Sequence, residues 1–258
     1  MKPKEFFAVM FGTFLLLALG DGVVANVVLA PRMAGTGYNW NTITIGWAFA
    51  VIVTAFVSGA DNNPALTLAA AIRGKLPWSK VGPYLAAEFI GAFLGAGAVY
   101  LVYRDGLAAA GMPNVWSTGP GSWLNAAGES GKYSLLTACV AEFVGTMVLT
   151  WGVLATSDRR NSALGLLGPF VVGGTVLAIG LSLGGPSGYS INPARDFGPR
   201  VFGLLAGTQG LFDGLYWLIA PVLVPFISAP IAGYLFDRFF GSEEPAREPE
   251  AAKALGRA

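Results

Sequence analysis

Two stretches decide the fold of this chain: Ser58-Gly59-Ala60-Asp61-Asn62-Asn63-Pro64-Ala65 in the first half and Gly188-Tyr189-Ser190-Ile191-Asn192-Pro193-Ala194 in the second. Each closes on Asn-Pro-Ala, which is written like the start of a helix. Asn caps the free amides of a first turn, Pro at the first helical position has no N–H to leave unpaired, and Ala is a strong helix former. The first such helix can run from Pro64 only to about Arg73, where charge and Gly74 stop it. Ten residues or so at the helical rise give roughly 15 Å, half of a bilayer core. The second, from Pro193 to about Gly203, has the same reach.

The sequence around these short helices is made for lipid. Of 258 residues, 54% are hydrophobic and 12% charged, against about a quarter charged in an ordinary soluble domain. Apolar runs long enough to cross a membrane fall at about 6–30, 41–58, 82–103, 135–156, 163–183 and 214–239, each with few charges. The first is longer than a signal-peptide core and reads as a retained helix. Six crossings put both termini on one side. Lys2, Lys4, Arg73, Lys75, Lys80, Arg159, Arg160 and Arg238 fall on that side and Arg32, Arg104 and Lys132 on the other, a bias that predicts a multi-pass protein of the plasma or inner membrane with cytoplasmic termini. Residues 241–258, with Glu243, Glu244, Glu248, Glu250, Pro245 and Pro249, predict a disordered cytoplasmic tail. The longest connection, from Arg104 to Tyr133, carries Trp116 and Trp123, whose rings suit the outer interface; part of it is expected over the mouth of a pore.

The two halves repeat. Phe11-Gly12-Thr13 returns as Val144-Gly145-Thr146, and the Asn-Pro-Ala stretches match in place. Three spans per half is an odd number, so the halves insert in opposite senses and put a site where they meet. The expected fold is all-α and integral to the membrane: six transmembrane helices plus two re-entrant half-helices. It forms a single channel domain over 1–240, with inverted repeats at about 6–105 and 134–239. Small residues four apart, as in Ala8 and Gly12, Gly91 and Gly95, Ala141 and Gly145, Gly180 and Gly184, and Ala229 and Gly233, predict close helix packing.

Two half-helices entered from opposite faces can meet at the midplane, provided that their irregular lead-ins line a cavity. Each helix start carries about half a positive charge. The meeting point therefore repels cations, while the amides of Asn63 and Asn192 still donate to a passing oxygen. Enzymatic readings lack their parts. The chain has no His and one cysteine, Cys139, so it offers no imidazole base, no metal cluster and no cofactor motif. A net charge of +1 offers no basic face to nucleic acid.

The twin motifs, Ser58-Gly59-Ala60 and the run Asn192-Pro193-Ala194-Arg195-Asp196-Phe197-Gly198-Pro199-Arg200 resemble the major intrinsic proteins, the aquaporins and glycerol facilitators, over about residues 6–240. The resemblance implies a pore midplane of Asn63, Pro64, Ala65, Asn192, Pro193 and Ala194, with Arg195 lining the outer constriction. The alternative for Arg195 is an ion pair with Asp196. Glu142 matches a buried Glu that supports the second lead-in. Its counterpart in the first half falls at Val9, a departure that Glu88 could offset. Counting along the glycerol-facilitator pattern puts Gly180 where water-selective members carry a His, Tyr189 as an aromatic wall and Ile43 where a Trp is expected. Trp47 stands one turn further on the same face.

A filter without His and with an apolar wall favours polyols over water alone. Asp196 after the Arg, Arg200, and Pro221 followed by Val222 agree with the glycerol branch. The expected function is a passive channel for glycerol, similar solutes such as urea, and water, excluding protons and ions, within a homotetramer. The alternatives are a water-selective aquaporin and a proton-coupled secondary transporter using Asp21, Asp61, Glu88 or Glu142 as carriers. Asp61, where many members place a His, either faces the lumen or braces its own loop.

Overall fold

The computed structural model describes residues 1–30, 36–59, 62–119 and 133–241, and the described residues form helices and connections without a strand. In chain order these are α1 (Pro3–Leu29), α2 (Trp40–Ser58), α3 (Pro64–Ile72), α4 (Trp78–Ala109), α5 (Leu135–Ser157), α6 (Gly168–Leu183), α7 (Pro193–Ala206) and α8 (Tyr216–Phe239). Each half reads long, long, short, long. Among the described residues, six helices are long and apolar enough to cross a membrane, so the protein is multi-pass. On α4, Leu101 and Val102 are each 75% exposed, a placement that lipid tolerates and water does not.

Local chemistry sets the ends of the elements. Asn39 caps α2 by accepting from the Asn41 amide at 2.9 Å while its own amide donates to Thr42 Oγ1 at 3.3 Å, a reciprocal box that satisfies two orphan groups. Gly59, at φ 59°, closes the same helix in the left-handed region. Within α8 the turn widens over Ile219–Leu223, where Pro221 cannot donate to the helical ladder.

The packing is symmetric about the middle of the molecule. Helix α1 packs on α2 and α4 as α5 packs on α6 and α8; α3 lies against α8 as α7 lies against α4; and α2 meets its counterpart α6. Both half-helices are therefore clasped by long helices of the opposite repeat. At the helical rise, the 9 residues of α3 and 14 of α7 span about 14 and 21 Å, together one membrane crossing. The second outruns the sequence expectation because Gly203 continues the helix, which ends at Gly207, φ 105°.

Ion pairs gather helix ends on one face. Lys80 and Tyr84 both donate to Glu5 Oε1, at 2.6 and 2.8 Å, and Arg73 reaches both oxygens of Asp237 at 2.7 Å. The starts of α1 and α4 thus share a face with the ends of α3 and α8. Trp116 does not sit at an interface: it is fully buried, its Nε1 donates to Thr208 Oγ1 at 2.9 Å, and its ring covers Gly203. Trp123 and residues 242–258, including the expected tail, lie outside the described residues.

The α1–α4 crossing depends on glycine. A Cβ at Gly95 would stand 2.6 Å from the Phe14 carbonyl oxygen, and one at Gly91 would drive into that of Met10. Backbone cannot yield as a side chain does, so Gly91→Ala should cost about 1–3 kcal/mol of overpacking. Gly82→Ala, whose Cβ meets nothing within 4 Å, should cost far less. Thermal unfolding of the two variants in detergent checks the contrast.

Candidate functional site

The half-helices meet start to start, and each Asn does two tasks there. Asn63 Oδ1 accepts from the Ala65 amide at 3.0 Å; Asn192 Oδ1 accepts from those of Ala194 and Arg195 at 3.0 and 3.2 Å. These are caps of their own helices. The amide nitrogens cross over: Asn63 Nδ2 donates to the Ile191 carbonyl at 2.8 Å and Asn192 Nδ2 to that of Asn62 at 2.7 Å. An amide nitrogen has two hydrogens, so each Asn keeps one donor for the cavity that both residues line.

That cavity encloses about 420 Å³ and runs from Gly165, Pro169 and Thr156, past Asn62, Asn63 and Asn192, to Trp47, Tyr189 and Arg195. Its second lead-in is held by Glu142, whose oxygens accept from the Ser190 and Ile191 amides at 2.7 Å each. The grip matters because Tyr189 and Ile191 stand at φ 41° and 46°, a left-handed conformation that costs a side-chain-bearing residue energy. Gly145, one turn along α5, leaves room for Ile191, whose Cγ2 would lie 3.0 Å from a Cβ there.

The first lead-in is built differently. Val9, in the place matching Glu142, is buried, and its carbonyl accepts from Thr13 Oγ1 at 2.9 Å. Asn62 lies over Gly12, near Thr13. Glu88 accepts from Thr67 Oγ1 at 2.8 Å, so it braces α3 itself. Asp61 lies outside the described residues.

Arg195, Trp47 and Tyr189 line the far end of the cavity. The Arg195 guanidinium carbon stands 4.0 Å from the Trp47 ring centroid, within cation–π range, and Tyr189 completes the wall. Ile43 is a correction to the sequence count: it is buried in the core, and Trp47, one helical turn on, takes the wall. Gly180 works from behind. A Cβ there would lie 2.7 Å from Thr44 Cγ2 and 2.9 Å from Tyr189 Cζ, so its bareness gives the tyrosine ring its seat. Trp40 adds to that seat, donating to the Gly180 carbonyl at 2.9 Å and meeting Tyr189 edge-on at 5.5 Å.

The alternative pairing of Arg195 with Asp196 does not occur. Asp196 Oδ1 accepts from Arg200 Nε at 2.7 Å, and Oδ2 from the amide and hydroxyl of Thr118 at 2.8 and 2.6 Å. Arg200 donates onward to the carbonyls of Leu211 and Thr118. This cluster ties α7 to the α4–α5 connection through Thr118 and to the α7–α8 connection through Leu211. The acid beside Arg195 is Asp21 of α1, whose Oδ1 lies 3.6 Å from Arg195 Nη1. Asp21 was not expected here, although the sequence signals it: a buried base needs a buried acid, and Gly20-Asp21-Gly22 interrupts an apolar run. Thr118 carried no such signal.

Sequence comparison fits this geometry. A family model described as major intrinsic protein matches residues 2–236. The chain belongs to the major intrinsic protein family. This major intrinsic protein is 41% identical over 244 residues to a probable glycerol uptake facilitator protein of Thermotoga maritima, covering 90% of this chain and 99% of the relative. It is 37% identical over 247 residues to a glycerol uptake facilitator protein of Streptococcus pneumoniae, covering 92% and 99%. An aquaglyceroporin structure from Plasmodium falciparum superposes with a TM-score of 0.80 at 28% identity, over 92% of this chain and 96% of that one.

In this major intrinsic protein, Glu142→Gln should keep one acceptor and turn an N–H toward the other amide. Leaving a buried donor unsatisfied costs about 1–3 kcal/mol. The variant should insert, melt at lower temperature in detergent and lose solute flux through a slackened lead-in; equal melting and equal flux would contradict this.

Proposed function

We propose that this chain is a passive channel through which glycerol, similar small uncharged polar solutes such as urea, and water cross the cell membrane down their gradients, with protons and ions excluded and no reaction catalysed. The observation that carries the reading is the constriction of Arg195, Trp47 and Tyr189. The guanidinium offers hydrogen bonds to hydroxyl oxygens, and the rings of Trp47 and Tyr189 beside it offer aromatic carbon to the carbon backbone of a polyol. Asn63 and Asn192 keep a donor each at the midplane, and the converging helix starts disfavour cations. The names of the relatives from Thermotoga maritima and Streptococcus pneumoniae point the same way.

A water-selective reading is less supported. No imidazole exists to narrow the filter, and Gly180 lets Tyr189 stand back rather than forward. A proton-coupled transporter would need free carriers. Among the described acids, Glu142 is engaged by two backbone amides, Glu88 by Thr67, and Asp21 lies beside Arg195.

The Lys and Arg bias supports cytoplasmic termini in the plasma or inner membrane. We read the assembly as a homotetramer. That reading rests on the resemblance to the major intrinsic proteins, since Gly91 and Gly95 are used within the subunit.

Stopped-flow light scattering on reconstituted vesicles tests the reading: glycerol flux should exceed that of empty vesicles and never accumulate against a gradient. Gly180→His combined with Tyr189→Phe should lower glycerol permeability about tenfold and water permeability about twofold or less, because filter width discriminates by solute size. Equal losses would place the size filter elsewhere in the pore.

A further inference from the structure

We propose that Asp21 is a specificity-determining residue of the constriction, acting through Arg195: its carboxylate offsets the guanidinium charge and holds the group against the Trp47 ring. The inference rests on the channel reading above. Asp21 is fully buried, and neither of its oxygens has a hydrogen-bond partner among the described residues. An acid in that condition is costly to keep inside a membrane, and such residues are retained for a task.

The surrounding charges leave one assignment. Arg200 and Asp196 satisfy each other at 2.7 Å. Glu142 is taken by the amides of the second lead-in. That leaves Arg195 as the base beside Asp21, at 3.6 Å, close enough for strong attraction yet too long for a hydrogen bond. The neighbouring glycine completes the device. A Cβ at Gly20 would collide with the Trp47 ring, so α1 presents a bare backbone on which the indole lies, with Asp21 next along the helix. Arg195 is therefore held by two groups that α1 positions, the carboxylate directly and the ring through Gly20.

Arg195 lines the cavity and Asp21 does not. A solute meets the carboxylate only through the guanidinium in front of it. With the pair close to neutral, rejection of cations falls mainly on the positive helix starts at Asn63 and Asn192. Cutting back Arg195 would do more than remove a positive charge: it would expose a negative one to the opening. A cation leak in such a variant would belong to Asp21.

The test uses the full chain in vesicles, with guanidinium ion as the charged probe because it has the shape of the head group removed. Arg195→Ala should raise guanidinium permeability about tenfold or more over the unaltered protein, whereas Asp21→Asn with Arg195→Ala should return it to within about twofold of that baseline. Glycerol permeability should be alike in the two variants. Arg195→Gln, alone and with Asp21→Asn, repeats the comparison with a bulkier residue should the alanine variants insert poorly. Asp21→Asn alone frees the guanidinium to move into the opening and should lower the glycerol-to-water permeability ratio about threefold. A merely structural acid would lower both fluxes in proportion to inserted protein. A double variant that leaks as much as Arg195→Ala, a single variant that does not leak, or an unchanged ratio in Asp21→Asn would each overturn the proposal. Lack of glycerol flux in the unaltered protein would instead overturn the channel reading, and the guanidinium comparison would still report on the charge.

Discussion

Backbone polar groups inside a bilayer must find partners within the protein, and the crossed hydrogen bonds of Asn63 to Ile191 and Asn192 to Asn62 are how this chain meets that demand at mid-depth. Each half-helix brings an irregular lead-in with it, and one carbonyl of each lead-in is answered by the Asn of the opposite half. Without that exchange the two helix starts would face each other with like partial charges and unsatisfied amides. With it, Oδ1 of each Asn caps its own helix, one Nδ2 hydrogen locks the other half, and one remains for the lumen. The packing of α3 on α8 and α7 on α4 follows the same exchange of partners between repeats.

The electrostatics of the pore divide by level. At the midplane the fields come from helix starts, which carry partial charges that no side chain can titrate away. Around Arg195 they come from acid–base neighbours: Arg195 beside Asp21, and Arg200 hydrogen-bonded to Asp196. The second set does mechanical work, since it ties α7 to Thr118 in the α4–α5 connection and to Leu211 in the α7–α8 connection. The two sets differ in hydrogen bonding more than in distance. Asp196 accepts from three donors, whereas neither oxygen of Asp21 has a hydrogen-bond partner among the described residues.

Much of the architecture was legible because it follows from chain-local physics. Asn-Pro-Ala writes a helix start, runs of apolar residues write spans, and a twice-occurring pattern with three spans per half writes the inversion. Glu142 was legible through the family resemblance, and in the structure it accepts from the Ser190 and Ile191 amides. What escaped was three-dimensional neighbourhood. The choice between Ile43 and Trp47 turned on helix rotation, which a residue count fixes only to within a turn. Trp116 looked like an interfacial ring because composition shows its amphipathic character and hides the bare surface of Gly203 that it covers. Asp21 and Arg195 are far apart in sequence, and their proximity depends on α1 and α7 meeting where Gly20 admits Trp47.

The reach of the crossed amides along the chain bears on how the protein is made. Asn63 and Ile191 are 128 residues apart, and Asn192 and Asn62 are 130 apart. At synthesis rates of about 5–20 residues per second, the first half-helix waits roughly 6–26 seconds before its partner exists. During that interval α3 has its capping Asn but not the carbonyl that Asn63 will hold, so it must rest in water, at the insertion machinery or against α4 with its polar start exposed. Completion of the polar start of this short helix is thus a late event that waits for the second half, and a ribosome that stalls between α4 and α7 would leave a nascent chain whose first repeat is complete in sequence and unfinished in structure.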